Sequence, residues 1–127
     1  MKICVSSTGT GENSIVDFRF GRCPYYVIYE TDTKQYRSIA NQGVSSPHGA
    51  GVTAAQQVID AKVDVVITGN MGPNAMELLK AAGIKIYNMS GGTVEGAVKL
   101  YLEGKLEEIN QAAPAHSGMA QGRRRSW

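Results

Sequence analysis

The hydrophobic positions of this chain follow two patterns, short apolar runs and longer stretches with helical spacing. Runs rich in β-branched and aromatic residues predict five strands, at Lys2–Ser6, Tyr25–Glu30, Gln35–Ala40, Val65–Ile67 and Ile84–Tyr87. Apolar residues three or four positions apart predict three helices, at about 51–61, 73–82 and 93–103. Pro73 suits a first helical turn, and Gly83 and Gly104 suit the residues just beyond a helix end.

The connections between these elements predict the topology. The stretch Asp64–Gly92 reads as strand, helix and strand, which gives a right-handed unit with parallel strands. The polar turn Thr31–Lys34 is too short for a parallel crossover, so strands 2 and 3 should be antiparallel. We therefore predict a three-layer α/β domain with a mixed five-stranded sheet of order 3-2-1-4-5. Strand 2 is antiparallel in this sheet, and helices cover both faces.

Composition limits the class of protein. The chain has 127 residues, of which 43% are hydrophobic and 19% charged, as is typical of one globular domain. We predict that residues 1–111 form this domain and that residues 112–127, which offer little to bury, are a disordered tail. The formal net charge of +2 depends on Arg123, Arg124 and Arg125 in that tail. The remainder is close to neutral, so we expect no broad basic face and no nucleic-acid partner.

The same reading suggests where the protein works. No apolar run approaches the roughly 20 residues of a membrane span, and the N-terminus lacks the layout of a signal peptide. Two cysteines do not make a disulfide framework. We therefore expect a cytoplasmic protein with no membrane partner, present as a monomer or weak dimer.

Three Gly-rich corners follow strands 1, 4 and 5 of the predicted sheet. They are Thr8–Asn13, Gly69–Asn74 and Ser90–Thr93. Open α/β sheets bind ligands beyond the carboxyl ends of their strands, at the point where the strand order reverses. That point falls between strands 1 and 4, so the corners should converge on one crevice, which the loop containing His48 could close. Backbone amides at helix N-termini suit an anion, although a simple turn is the alternative for Thr8–Asn13.

The predicted crevice lacks the residues of most enzymes. A nuclease would need carboxylates on the central strands to hold two metal ions. Here strand 1 offers Cys4 and Ser6, and strand 4 ends at Thr68 and Gly69. The chain also has no Ser-His-Asp set and no His-Glu-x-x-His motif. We therefore expect a non-catalytic protein.

Soft donors are the remaining candidates for chemistry. Cys23 sits in a turn beside Arg22, where its thiol is either an accessible thiolate able to bind a soft metal or an incidental loop cysteine. His48 is either a solvated loop residue or a metal ligand. Met71 and Met89 lie at loop edges, although methionine also serves as core filler. Soft donors of this kind suit Cu(I) and iron–sulfur species.

Five stretches of the sequence carry a resemblance. They are MKICVSS at the start, FGRCPYYVIYE (Phe20–Glu30), HGAG (His48–Gly51), VVITGNMGPNAMELLKAAGIKIY (Val65–Tyr87) and GGTVEGAVKLYLEGKLEEI (Gly91–Ile109). Together they cover most of residues 1–109, and the chain resembles the dinitrogenase iron–molybdenum cofactor biosynthesis family. That resemblance implies a ribonuclease H-like fold and the binding or delivery of an anionic iron–sulfur or molybdenum-containing cluster, in association with cluster-assembly proteins.

Resemblance and loop chemistry together give a candidate site. The metal ligands are Cys23 and His48, and the wider cofactor-binding set is Thr8, Arg22, Cys23, His48, Gly69, Asn70, Met71, Gly72, Asn74, Ser90, Gly91 and Gly92. Two alternatives stay open at this point. One is a module that binds phosphate or another small anion at the same corners. The other is a scaffold that only docks to cluster-assembly proteins.

Overall fold

The computed structural model describes residues 1–43, 50–89 and 91–110. Its strands are β1 Lys2–Ser7, β2 Tyr25–Glu30, β3 Gln35–Ala40, β4 Val65–Thr68, β5 Lys85–Asn88 and β6 Glu107–Glu108. Its helices are α1 Ala50–Asp60, α2 Pro73–Ala81 and α3 Val94–Leu102. The predicted tail, residues 112–127, lies outside the described residues, and its disorder stays a prediction.

The strands form one mixed sheet of order β3-β2-β1-β4-β5-β6. Strands β1, β4 and β5 run parallel, and β2 is antiparallel to both of its neighbours, as predicted. The prediction of five strands is wrong, because β6 pairs antiparallel with β5 and extends the sheet. Strand β6 is only two exposed glutamates, so it has no hydrophobic alternation to reveal it and forms by pairing with the edge of β5.

The sheet has a hydrophobic core on each face, so the prediction of helices on both sides is confirmed. Helices α1 and α2 cover one face, where Ala54, Val58 and Leu79 pack among the buried core residues. Helix α3 covers the other face, and its residues Val94 and Ala97 are fully buried there. Successive residues of a strand point to opposite faces. Thus the continuous apolar runs of β1 and β4 reflect burial on both sides.

Helix ends follow the local sequence. Gly83 and Gly104 have φ angles of 80° and 73°, which suit residues just beyond a helix end. Thr93 caps α3, and its side-chain oxygen accepts a hydrogen bond from the amide of Gly96. Within residues 1–43, 50–89 and 91–110, no helix has the length and apolar character to cross a bilayer.

Candidate functional site

A connecting segment, residues 14–20, crosses the carboxyl ends of the central strands. Its backbone forms hydrogen bonds with the ends of β1 and β4 and with the corner before α3. The Asp17 amide donates to the Ser6 carbonyl oxygen and the Val16 amide to that of Gly92, both at 2.9 Å. The Phe20 amide donates to the Asn70 carbonyl oxygen at 3.1 Å, and the Asn70 amide donates to that of Phe18 at 2.6 Å. The segment therefore covers the point where the strand order reverses, which the sequence predicted to be an open crevice.

Polar side chains fill the space beneath this segment. The Ser6 hydroxyl lies 2.6 Å from the carbonyl oxygen of Asp17 and 2.8 Å from the Thr68 hydroxyl. Ser6 and Thr68 are fully buried, each at the end of a central strand. These groups satisfy one another, so they hold the segment in place and are not available to a ligand.

An open cavity of about 390 Å³ lies beside the segment. Its lining residues are Val16, Phe18, Gly69, Asn70, Asn88 and Gly91. The side-chain amide of Asn88 donates to the carbonyl oxygen of Gly69 at 2.9 Å, which joins the ends of β4 and β5. Among the described residues that line the cavity there is no carboxylate, so the polar groups that these residues offer are neutral amides and backbone.

An ion-paired arginine lies next to Phe18, one of the residues that line this cavity. Arg19 donates through Nε and Nη2 to the two carboxylate oxygens of Asp17, at 3.1 and 3.0 Å. Its guanidinium carbon lies 5.7 Å from the ring centroid of Phe18, which lines the cavity. The Asp17 side chain is 4% exposed and that of Arg19 is 51% exposed. The buried carboxylate thus orients a charge that still faces solvent.

The ion pair sets the protonation of Asp17. Burial alone would raise the pKa of this carboxyl. The hydrogen bonds that the side chain and backbone of Arg19 donate, together with the positive charge of Arg19, outweigh burial and lower the pKa. Asp17 is therefore ionised at neutral pH, and the Arg19 guanidinium keeps its alignment.

The three predicted corners do not meet at one crevice. Gly69, Asn70 and Gly91 line the cavity, whereas the amide and hydroxyl of Thr8 both donate to the carbonyl oxygen of Ile15. Gly92 lies next to this region, and its carbonyl accepts from Val16. The Thr8–Asn13 loop is instead held against the start of α3. The expectation of full convergence is wrong, because residues 14–20 lie between the loops.

The start of α3 has no amides to offer an anion. The N–H groups of Val94 and Glu95 donate to Ser14 and Glu12, each at 2.9 Å, and that of Gly96 is capped by Thr93. The expectation that amides at this helix start would bind the ligand is therefore wrong for these three groups.

Of the predicted site residues at the start of α2, one lies in the core and two lie at the surface. Met71 is 3% exposed and packs in the core under α1 and α2, so it acts as core filler and is no accessible donor. Gly72 and Asn74 are exposed at the start of α2 and do not line the cavity. Two other predicted residues, His48 and Ser90, lie outside the described residues.

Cys23 is not the accessible loop thiolate that the sequence allowed. It is completely buried, and its sulfur lies 3.4 Å from the carbonyl oxygen of Phe20. Burial, partly offset by hydrogen bonds from Tyr26 and the backbone, raises the pKa of the thiol to about 11. Neighbouring Arg22 is exposed. Among the described residues, no group of three or more His, Cys, Asp or Glu is arranged to hold a metal ion.

Sequence reasoning missed the residues at the centre of this site. Phe18 and Arg19 are absent from the predicted set of site residues, although an arginine next to an aromatic residue in a loop is a usable signal for ligand binding. Asn88 was also missed. Its position at the carboxyl end of a strand is where ligand-binding side chains are expected in α/β sheets.

Comparisons with known proteins agree on the relationship. The sequence profile of the dinitrogenase iron-molybdenum cofactor family matches residues 1–104. An uncharacterized protein of Methanocaldococcus jannaschii is 32% identical over 101 residues, covering 77% of this chain and 86% of that protein. The profile match, over residues 1–104, includes all the residues described as lining the cavity.

Solved structures give the same result. The apo form of the orange protein of Desulfovibrio gigas is 35% identical, with a TM-score of 0.83, and the match covers 86% of this chain and 92% of that one. A NifB-like protein of Thermotoga is also 35% identical, with a TM-score of 0.79 and coverage of 90% and 97%. The chain therefore belongs to the dinitrogenase iron-molybdenum cofactor family.

Proposed function

We propose that this protein binds an anionic iron–sulfur or molybdenum-containing cluster as cargo, in the assembly or delivery of a cofactor and without catalysing a reaction. The observation that carries this proposal is the family match over residues 1–104, which include all the residues of the cavity at Gly69 and Asn70. We place this role in the cytoplasm and in a ribonuclease H-like fold, as the sequence predicts.

The chemistry of the cavity supports an anionic cargo. Asn70 and Asn88 are exposed amides that can donate hydrogen bonds, and the part of the lining that the structure describes has no carboxylate to repel negative charge. The Arg19 guanidinium lies beside Phe18 and is 51% exposed, although its charge is balanced by the buried Asp17 carboxylate. Hydrogen bonds from a charged donor are stronger than neutral ones. We propose that Arg19 and the two amides hold the cluster.

The donors that are present favour a cluster that keeps its own sulfide ligands. Cys23 is buried with a raised pKa, so we no longer propose it as a metal ligand. His48 stays a candidate ligand from the sequence alone. A cargo held by hydrogen bonds and charge, with few or no bonds from protein to metal, can be passed to an acceptor without breaking strong coordination.

A partner surface adjoins the cavity. Ile15 and Phe18 are large hydrophobic residues that are 50% and 51% exposed, and both belong to the segment that rims the site. We propose that a cluster-assembly protein contacts these two side chains during delivery. Replacing Ile15 with Lys should leave cluster uptake unchanged and slow transfer to the acceptor. Equal transfer by both proteins would refute this contact.

The test of cargo binding is an anaerobic titration with a synthetic thiomolybdate–copper cluster, followed by visible absorbance and gel filtration. We expect the colour to elute with the protein at a fixed ratio. Arg19→Gln should weaken binding by about 10-fold or more, since a hydrogen bond to a charged group contributes roughly 1.5–3 kcal/mol. Arg37→Gln removes an exposed arginine on β3 and should change nothing.

Two further measurements separate the alternatives. Asn70→Ala should also weaken binding without disturbing Asp17, so a general loss of structure in Arg19→Gln cannot account for both. Inorganic phosphate should not displace the cluster at equal concentration. Colour that elutes apart from the protein, or equal affinity in all variants, would refute the proposal. Equal competition by phosphate would favour the small-anion module instead.

A further inference from the structure

The face of the sheet that α3 covers is left partly open. Helices α1 and α2 share one face, whereas α3 is the only described helix on the other, where it packs against β1 and its neighbours. A groove of about 570 Å³ remains between α3 and the strands β2 and β3. Its sheet side is formed by Tyr29 and Tyr36, and its helix side includes Glu95, Lys99, Leu102 and Glu103. This groove is separate from the cavity at Gly69.

The floor of the groove is aromatic. The rings of Tyr29 and Tyr36 lie across neighbouring strands, with their centroids 4.6 Å apart and their planes inclined at 45°. Leu102 stands on the helix side and is 54% exposed. An aromatic floor beside an exposed leucine suits an apolar side chain, and the faces of tyrosine rings also attract guanidinium groups.

Two glutamates lie near one end of this floor: Glu95 lines the groove, and the Glu12 carbonyl oxygen accepts a hydrogen bond from the Glu95 amide. Burial, followed by the charge of Glu95, the Tyr29 ring and the charge of Glu12, raises the pKa of Tyr36 to about 12. Within the described residues, Glu95 has no ion pair within 4.0 Å, whereas Glu103 pairs with Lys105 at 3.3 Å. The groove therefore combines unpaired negative charge with aromatic faces, and Lys99 is the cation on its lining.

We propose that this groove binds residues 123–127 of the same chain, so that the end of the segment predicted to be disordered becomes ordered when it docks. That segment contains three consecutive arginines and Trp127, the only tryptophan of the protein. Its arginines match Glu95 and Glu12 in charge and the tyrosine rings in stacking chemistry. Trp127 matches the apolar side of the groove at Leu102.

The length of the chain permits this contact. The described residues end at Asn110, whose carbonyl oxygen accepts from Lys80 Nζ near the β6 edge of the sheet. Thirteen extended residues from there to Arg123 span roughly 43 Å. The five spacings from β6 to β3 amount to about 24 Å. The segment can therefore pass around an edge of the sheet and still reach the groove within one molecule.

Fluorescence of Trp127 tests this proposal directly, since no other tryptophan contributes. In the full-length protein we expect blue-shifted emission and acrylamide quenching at least about 2-fold weaker than in a free peptide of residues 111–127. Glu12→Gln combined with Glu95→Gln should restore peptide-like emission and quenching. The matched control, Glu107→Gln with Glu108→Gln, removes the same charge on β6 and should keep the native values.

Three outcomes would overturn the proposal. The first is Trp127 quenching in the native protein equal to that of the peptide. The second is equal release in the groove variant and the β6 control. The third is protection that disappears on dilution, which would assign the segment to the groove of a second copy. Circular dichroism of each variant checks that the sheet is intact. A variant that combines Arg123→Ser, Arg124→Ser and Arg125→Ser should also release Trp127, and it changes no residue of the folded domain.

Discussion

Gly69 is the position where one added methyl group should disturb the candidate site most. A Cβ atom at this residue would lie 2.6 Å from the Cβ, 2.8 Å from the Cα and 2.9 Å from the carbonyl oxygen of Phe18. Two of these contacts are with backbone, which cannot rotate away. Gly69→Ala should therefore push the crossing segment off the strand ends and stretch its two hydrogen bonds with Asn70.

The expected magnitude follows from those contacts. Overpacking costs about 1–3 kcal/mol, and each of the two weakened hydrogen bonds adds roughly 0.5–1.5 kcal/mol, so the free energy of unfolding should fall by about 2–6 kcal/mol. Gly72→Ala is the matched control in the same corner. Nothing lies within 4 Å of its Cβ position, and its φ of −73° is ordinary for alanine. We expect a change of at most about 1 kcal/mol there.

Urea unfolding followed by circular dichroism measures both variants against the unmodified protein. The Gly69→Ala protein should unfold at clearly lower urea, and Gly72→Ala should stay near the unmodified midpoint. Equal stability of the two variants would refute the tight approach of the crossing segment to the corner. The packing from which the cavity is built would then be wrong.

Three further predictions concern groups around the site. Cys4 and Cys23 are buried, so a colorimetric thiol reagent at pH 8 should modify them at least about 10-fold more slowly in the native than in the unfolded protein. Equal rates would show that Cys23 is accessible. Asp17 has a lowered pKa, so its contribution to stability is present above the ordinary carboxyl pKa and is lost as pH falls through the lowered value. Asp17→Asn should therefore lower the free energy of unfolding by about 1–3 kcal/mol at pH 7 and by less as the pH falls below the ordinary carboxyl pKa. A cost that does not change with pH would contradict the ion pair with Arg19. Thr93→Ala should lower the free energy of unfolding by about 1 kcal/mol because the α3 cap is lost, whereas Thr93→Ser should leave it unchanged. An equal loss in both variants would rule out the hydroxyl as the cause.

The sequence predicted most of the fold because its signals are local. Runs such as Val65–Ile67 identify strands buried on both faces, and the short turn at Thr31–Lys34 requires an antiparallel pair. Local signals do not specify β6, whose two glutamates form a strand only because the edge of β5 offers hydrogen-bond partners. Gly83 shows the opposite case, since its position alone predicts the helix end that its φ of 80° confirms.

The candidate site was predicted less completely because its geometry depends on contacts between distant residues. Val16 bonds to Gly92, 76 positions further along the chain, and no periodicity reveals that pairing. For this reason the predicted crevice turned out to be covered. Cys23 illustrates the same limit, because its turn sequence suggests exposure while packing against Phe20 and Tyr26 buries it. Gly69, Asn70 and Gly91, which the sequence placed beyond the strand ends, nevertheless line the cavity, and their role in binding stays a prediction.

The most direct test of cluster binding is a map of backbone amide signals by two-dimensional ¹H–¹⁵N NMR during an anaerobic titration with the thiomolybdate–copper cluster. We expect the shifts to concentrate on Phe18, Arg19, Asn70, Asn88 and Gly91, with the strand β3 unchanged. Shifts confined to another surface, or none at saturating cluster, would contradict the assignment of this cavity as the cargo site.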